Sequence, residues 1–280
     1  PTIKFYTNRF LRIYPLYFLA LIIVFITQSN PKGLLTDTFL NKESVLFLIL
    51  SNILIVGQDI AHFIGPDPHG GLKFIIEGNK VIGSYLLMTV AWTLSLEIIF
   101  YLLVPFLIKF KNRTLLYLIL ASFLIRFGIY QYELVYDLWG RYFFPAEFCF
   151  FLSGIVSFRL YKMLSSWFFS LKKEYDKQLV RMFLEWFCVL LIMVTIFYPY
   201  NGPWGFGLDQ INIAAQQNSP VTHTSVRWGY LFFLFLGMPS LFLLTKDNKW
   251  DKFLGNLAFP IFIIHLTSIT TPLMIFFKEV

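Results

Sequence analysis

The stretch AWTLSLEIIFYLLVP, Ala91 to Pro105, holds one acid, Glu97, in an otherwise uncharged run. A carboxylate at the centre of a membrane helix costs on the order of 2–3 kcal/mol even on lenient insertion scales. A segment that only had to cross a bilayer would place Leu or Ile there. Residues four apart share a helix face, so Thr93, Glu97, Tyr101 and Pro105 form one stripe, while Trp92 and Ser95 sit three apart on another. Two readings fit this pattern. Glu97 either packs helices together, neutral or bonded to a neighbour, or it faces a polar cavity and organises chemistry there, the default for an acid inside a membrane.

Two further stretches carry chemistry. In RFLRIYPLYF, Arg9 and Arg12 are three apart on one face, and Pro15 follows within a turn. This pair is either an anchor at the membrane surface or a paired guanidinium site for phosphate, which Arg recognises with a planar fork of donors. In LGNLAFPIFIIHL, Pro260 interrupts the helix backbone and His265 follows five residues on, as a packing residue or a catalyst. Arg126, in ASFLIRFGIY, is a further charge in an apolar run and could partner Glu97 or Glu147; spacing does not choose between them. His62, His69 and His223 lie in polar loops and are expected to face solvent. Cys149 and Cys188 lie in apolar runs and read as buried small hydrophobes, with no disulfide framework and no metal site.

The elements that must position these residues are membrane helices. Of the 280 residues, 57% are hydrophobic, only 14% are charged, and Phe alone occurs 34 times. A spanning helix needs roughly 20 mostly apolar residues. Such runs recur at about 11–27, 44–57, 84–108, 114–130, 142–161, 182–199, 227–245 and 254–276, leaving no room for a soluble domain of useful size. The expected fold class is therefore all-α, a polytopic transmembrane helix bundle of about eight segments forming one domain over 1–280. The net charge of +7 reports topology through the positive-inside bias and not an affinity for nucleic acid. Arg9/Arg12, Lys109/Lys111/Arg113 and the basic loop 159–181 all favour the cytoplasm, which strict alternation cannot satisfy. The short segment 44–57 and the loop 58–83 are the places where a re-entrant or interfacial piece would resolve this.

Taken in order, RFLRIYPLYFLAL, AWTLSLEIIFYLLVP and LAFPIFIIHL resemble the signature regions of the acyltransferase-3 family of integral-membrane O-acyltransferases. The middle stretch is close to the family's Trp-Ser-Leu-Ser-x-Glu followed by Phe-Tyr and Pro, through Trp92, Thr93, Leu94, Ser95, Glu97, Phe100, Tyr101 and Pro105. The first matches Arg-x-x-Arg and Tyr-Pro at Arg9, Arg12, Tyr14 and Pro15. The last matches Tyr-Pro-x-Tyr-x-x-His through Pro260 and His265, with Phe259 and Phe262 in place of tyrosines and so two hydroxyls fewer near His265. Thr93 stands for the usual first Ser and keeps its hydroxyl. Family members carry two further helices before the Arg-x-x-Arg, the first with the His regarded as catalytic; eight segments plus two make the family's ten. A chain without those helices or an initiator Met is expected to be an N-terminally incomplete piece.

The resemblance implies transfer of an acyl group, acetyl first of all, from a cytoplasmic acyl-coenzyme A donor to a hydroxyl of a cell-envelope sugar, polysaccharide or lipid-linked sugar. It implies no bound cofactor and a bacterial inner-membrane location, with the bilayer as the other partner. Arg9 and Arg12 would grip the donor; Thr93, Ser95, Glu97, Tyr101 and Trp92 would shape the acceptor site, with His265 nearby. A transporter or flippase for an envelope precursor would also bury charges and break helices with Pro, and a non-catalytic scaffold derived from the enzyme is the third class.

Overall fold

The stripe that organises the first helix is visible in its burial. α1 (Thr2–Thr27) buries Ile13, Tyr17, Ala20 and Val24, spaced by four, three and four and therefore on one face. Arg9 lies four residues before Ile13 and continues that stripe. Both arginines sit inside the helix, which begins at Thr2 and not near residue 11. The polar opening turns are held by packing that no local pattern reports: the Tyr6 hydroxyl donates to the Leu102 carbonyl at 3.2 Å, and Phe5 meets Tyr101 edge-on.

The structure, a computed structural model, describes residues 2–27, 38–75, 81–88, 90–132, 134, 136–197 and 225–265. His223, nearly all of the polar loop 199–225 and positions 266–276 of the last apolar segment lie outside the described residues. Two units result. The first comprises Pro1–Lys109, Asp137–Phe144 and the chain from Leu254; the second comprises Phe110–Tyr136 and Pro145–Phe253.

In the first unit, α2 (Lys42–Leu54) is capped by Asn41, whose side chain accepts from the Ser44 N–H at 2.9 Å. Its 13 residues span roughly 20 Å at about 1.5 Å per residue, short of the ~30 Å hydrocarbon core. The helix stops at Ile55, which has a positive φ of 65°, a costly conformation for a β-branched residue. Beyond it the chain makes a 3-10 turn (Ile60–Phe63) and a hairpin of β1 (Ile64–Pro66) and β2 (Leu72–Phe74). The strands pair antiparallel with Ile64 opposite Phe74. The described residues are mostly helical, in line with the expected all-α class, and this small two-stranded hairpin is an addition to it.

α3 (Trp92–Leu107) starts later than the apolar run from residue 84 implies. Residues 82–85 form a second 3-10 turn, and Ile82, Leu86, Met88 and Val90 are buried in irregular backbone. Apolar content registers burial, and burial here is not helical. A one-turn helix α5 (Tyr136–Trp139) brings Trp139 and the following Tyr142 and Phe143 to this unit.

The second unit contains α4 (Asn112–Gln131), α6 (Phe144–Ser170), α7 (Glu174–Phe197) and α8 (Ser225–Thr245). α7 and α8 pack closely because Gly237 leaves room for Leu191; a Cβ there would come within 2.6 Å of that side chain, the small-residue contact common between membrane helices. α9 (Lys249–His265) runs on through Pro260 without ending, and its Ile263 joins Ile13, Tyr17, Met88 and Leu94 in the core of the first unit.

Among the described residues five helices are long and apolar enough to cross a membrane: Thr2–Ile26, Asn112–Ile129, Phe144–Ser170, Glu174–Phe197 and Trp228–Thr245. The other expected segments differ in kind: α2 and α3 are shorter apolar helices, and the described part of the last segment carries a polar start.

Candidate functional site

The face where α1 meets α3 assembles three of the side chains singled out by spacing. The Tyr101 hydroxyl donates to a Glu97 carboxylate oxygen, and the Arg9 guanidinium lies 4.8 Å from the centroid of the Tyr101 ring and 5.3 Å from that of Phe5. Cation, phenol and acid thus form one chain from α1 to α3, with the ring quadrupole favouring the guanidinium. Arg9, Glu97 and Tyr101 are each partly exposed, and Arg12, three residues from Arg9, is exposed. The stripe does not hold throughout. The Thr93 hydroxyl donates to the Val90 carbonyl at 2.8 Å, so only one of the two flanking hydroxyls partners the acid.

Ser95 belongs to a different cluster. It is fully buried, its hydroxyl donating to Asp59 Oδ1 at 2.6 Å and accepting from the Gly57 N–H at 3.0 Å. Around it the open end of α2 is closed by side chains. The Tyr14 hydroxyl donates to the Leu54 carbonyl (2.8 Å), the Tyr17 hydroxyl to that of Asn52 (2.7 Å), and Gln58 Nε2 to that of Ser51 (3.1 Å) and to the Tyr17 hydroxyl (3.0 Å). The last four carbonyls of a helix have no partner within it, and irregular backbone at membrane depth survives only where protein satisfies it. Gly57, Gln58 and Asp59 are the residues that spacing missed. The signal was the polar pair Gln58-Asp59 directly after an apolar run, which reads equally as a solvated loop. Burial pushes the Asp59 carboxyl up from its ordinary value, against the opposing hydrogen bond from Ser95.

His62 also departs from its expected place in solvent. Its ring stacks on Tyr142 at 3.7 Å, and Tyr142 meets Trp92 edge-on at 4.8 Å. Gly83 makes this possible, since a Cβ there would come within 2.6 Å of His62 Nδ1. Burial lowers the imidazole to about 4 from its usual 6.5. The native state therefore binds this proton less readily than the unfolded chain, so His62's stabilising contribution is complete above about pH 6.5 and is lost as pH falls toward 4. His62→Phe keeps the ring stack without the proton site. The Tm difference between wild type and this variant is expected to be constant above pH 7 and to move in the variant's favour on acidification; a difference independent of pH would contradict the coupling.

Trp92 is thus placed against the Tyr142 ring that stacks on His62, while His265 closes α9 with its imidazole outside the described side chains. His69 is exposed, as expected. Arg126 pairs with Glu147, at 2.5 Å, in the second unit. Cys149 and Cys188 are buried free thiols.

Comparison with known proteins places the chain in a family. The family model described as an acyltransferase domain, acyltransferase 3, covers residues 1–279. No curated protein and no solved structure matches the chain.

Proposed function

Because the chain belongs to the acyltransferase-3 family, we propose that it transfers an acetyl group from cytoplasmic acetyl-coenzyme A to a hydroxyl of a cell-envelope sugar or polysaccharide. At the coarser level it is a membrane acyltransferase, matching that family over nearly its whole length and carrying, among the described residues, five helices fit to span a bilayer. The observation that carries the finer reading is the Arg9–Tyr101–Glu97 chain, with Arg12 exposed beside it.

Acyl transfer from a thioester to an alcohol needs an anion grip on the coenzyme phosphates, an acceptor hydroxyl held in line, and removal of its proton as the carbonyl carbon is attacked. Arg9 and Arg12 supply paired guanidinium groups for the first. Glu97, fixed by the Tyr101 hydroxyl, orients and polarises the acceptor. Ser95 and Asp59 keep the 57–59 loop against α3 and so hold the floor of the same unit. His265, Thr93 and Trp92 complete the set of proposed site residues.

Arg12→Lys keeps the charge and loses the planar fork. In membranes containing the full-length protein this swap is expected to raise the donor KM about tenfold, roughly 1.4 kcal/mol of lost binding, with kcat nearly unchanged. An unaltered donor KM would return the arginines to a surface-anchor role. Acceptor identity is read by mass spectrometry of the acylated product, where a lipid or peptide product would overturn the carbohydrate assignment. Substrate movement across vesicles without any transfer would favour the transporter reading.

A further inference from the structure

The second unit carries a groove that acyl transfer at α1 and α3 does not use. It encloses about 830 Å³ between α4, α6 and α8, with Phe123, Phe150 and Trp228 toward one end and Phe158, Tyr161 and Phe242 toward the other. All three helices contain segments fit to span a membrane, so its walls lie at hydrocarbon depth. From Trp228 to Phe242 it extends roughly 20 Å at about 1.5 Å per residue. An apolar shape alone selects nothing there, because lipid tails are as apolar as the walls.

Selection comes from the charges at one end. Lys246 Nζ donates to the Tyr161 hydroxyl at 3.2 Å and lies 6.0 Å from the Phe169 ring centroid. Lys162 Nζ sits 4.8 Å from the ring of Phe158. Arg159 donates to Asn112 Oδ1 and to the Phe110 carbonyl, which ties the basic start of α4, with exposed Lys111 and Arg113, to the same end. Asp247 is the acid beside Lys246. The positive-inside bias places such an end at the cytoplasmic leaflet, which is rich in anionic lipid, and basic pockets between membrane helices bind anionic headgroups.

We propose that this groove holds an anionic phospholipid of the cytoplasmic leaflet, one acyl chain lying along the Trp228–Phe242 face and the headgroup phosphate at Lys246 and Tyr161. Two independent demands meet in that ligand: an extended apolar body, and an anion where Lys246 already spends a donor on Tyr161. The assignment does not depend on the acyl-transfer reading.

The test uses the full-length protein in nanodiscs of phosphatidylcholine with a small fraction of lipid brominated on its acyl chains, either phosphatidylglycerol or phosphatidylcholine. The Trp228 contribution to fluorescence is taken as the difference from Trp228→Phe. Brominated phosphatidylglycerol is expected to quench it at least threefold more than the same fraction of brominated phosphatidylcholine, and Lys246→Gln to erase that preference. Gly154 lines the groove on α6, and Gly154→Leu adds bulk where a Cβ meets nothing within 4 Å, so it should abolish quenching by the anionic lipid. Equal quenching by both lipids would reduce the groove to ordinary lipid contact and overturn the proposal; so would no quenching by either, which would mean that protein fills it. Native mass spectrometry gives a second measure independent of Trp228: phosphatidylglycerol retained after delipidation by wild type and lost in Lys246→Gln supports the site, and retention unchanged in the variant refutes it.

Discussion

Glu97→Gln is expected to leave the helices assembled and to lower acyl transfer by about 100-fold or more, the scale of a lost preorganised electrostatic contact in the transition state. Gln has the size of Glu and can still accept the hydrogen bond that the Tyr101 hydroxyl donates to Glu97. The ring of Tyr101 stays beneath the Arg9 guanidinium in either case. What disappears is the negative charge and the capacity to take a proton. An acid kept only to hold α1 against α3 would therefore tolerate the change, since its hydrogen bond survives and its desolvation cost falls. Insertion, Tm and transfer from the acyl-coenzyme donor are compared in the full-length protein, with Tyr101→Phe as the companion variant. Tyr101→Phe removes the phenol that orients the carboxylate and is expected to lower kcat by about tenfold, with less effect than the loss of the acid itself. Full activity in Glu97→Gln would assign Glu97 to helix packing alone.

Arg126→Ala is expected to destabilise the second unit by roughly 1–3 kcal/mol, because it removes a buried guanidinium together with its hydrogen bonds and leaves the half-buried Glu147 carboxylate without its partner. The guanidinium is held on several sides. Its Nε donates to the Ala146 carbonyl at 2.6 Å, its Nη2 to Glu147 Oε1 at 2.5 Å, and its Cζ lies 4.9 Å from the Phe150 ring centroid. Ser122 reinforces the same junction, donating to the Pro145 carbonyl at 2.7 Å and accepting from the Cys149 N–H at 2.9 Å. α4 and the first turn of α6 are thus joined by polar contacts in a setting where hydrophobic contrast between helices and lipid is nearly absent. The double variant Arg126→Leu/Glu147→Leu removes both charges and is expected to recover most of the loss. Thermal unfolding of the single and double variants in one detergent separates the cases: equal destabilisation in both would locate the effect in packing and not in the stranded charge.

The arginine pair shows where local pattern stops. Arg126 had two acids to choose from along the chain, Glu97 and Glu147, and nothing in the spacing ranked them. The pairing with Glu147 follows from how α4 and α6 are rotated about their axes, which is set by side chains such as Ser122, Ala146 and Cys149 meeting across twenty or more residues of sequence. His62 makes the same point from the other direction. Its loop composition reads as solvated, yet Gly83 and Tyr142 close over it from positions 21 and 80 residues further on.

Apolar run length and the rarity of charge determined the membrane character of the chain, because the free energy of moving a segment from water to hydrocarbon is a sum over its own residues. The order and spacing of the Arg-x-x-Arg, Trp-Thr-Leu-Ser-x-Glu and Pro-x-x-x-x-His stretches carried the family, and helix periodicity alone aligned Glu97 with Tyr101, since both lie on one helix four residues apart. The junction of Arg9 with Tyr101, the burial of Ser95 against Asp59, the sealing of α2 by Tyr14, Tyr17 and Gln58, and the 3-10 turn at residues 82–85 came from the folded chain. Each is a contact between segments far apart in sequence. Its energy depends on which buried polar group finds a partner, and that is a property of the packed arrangement that no single segment carries.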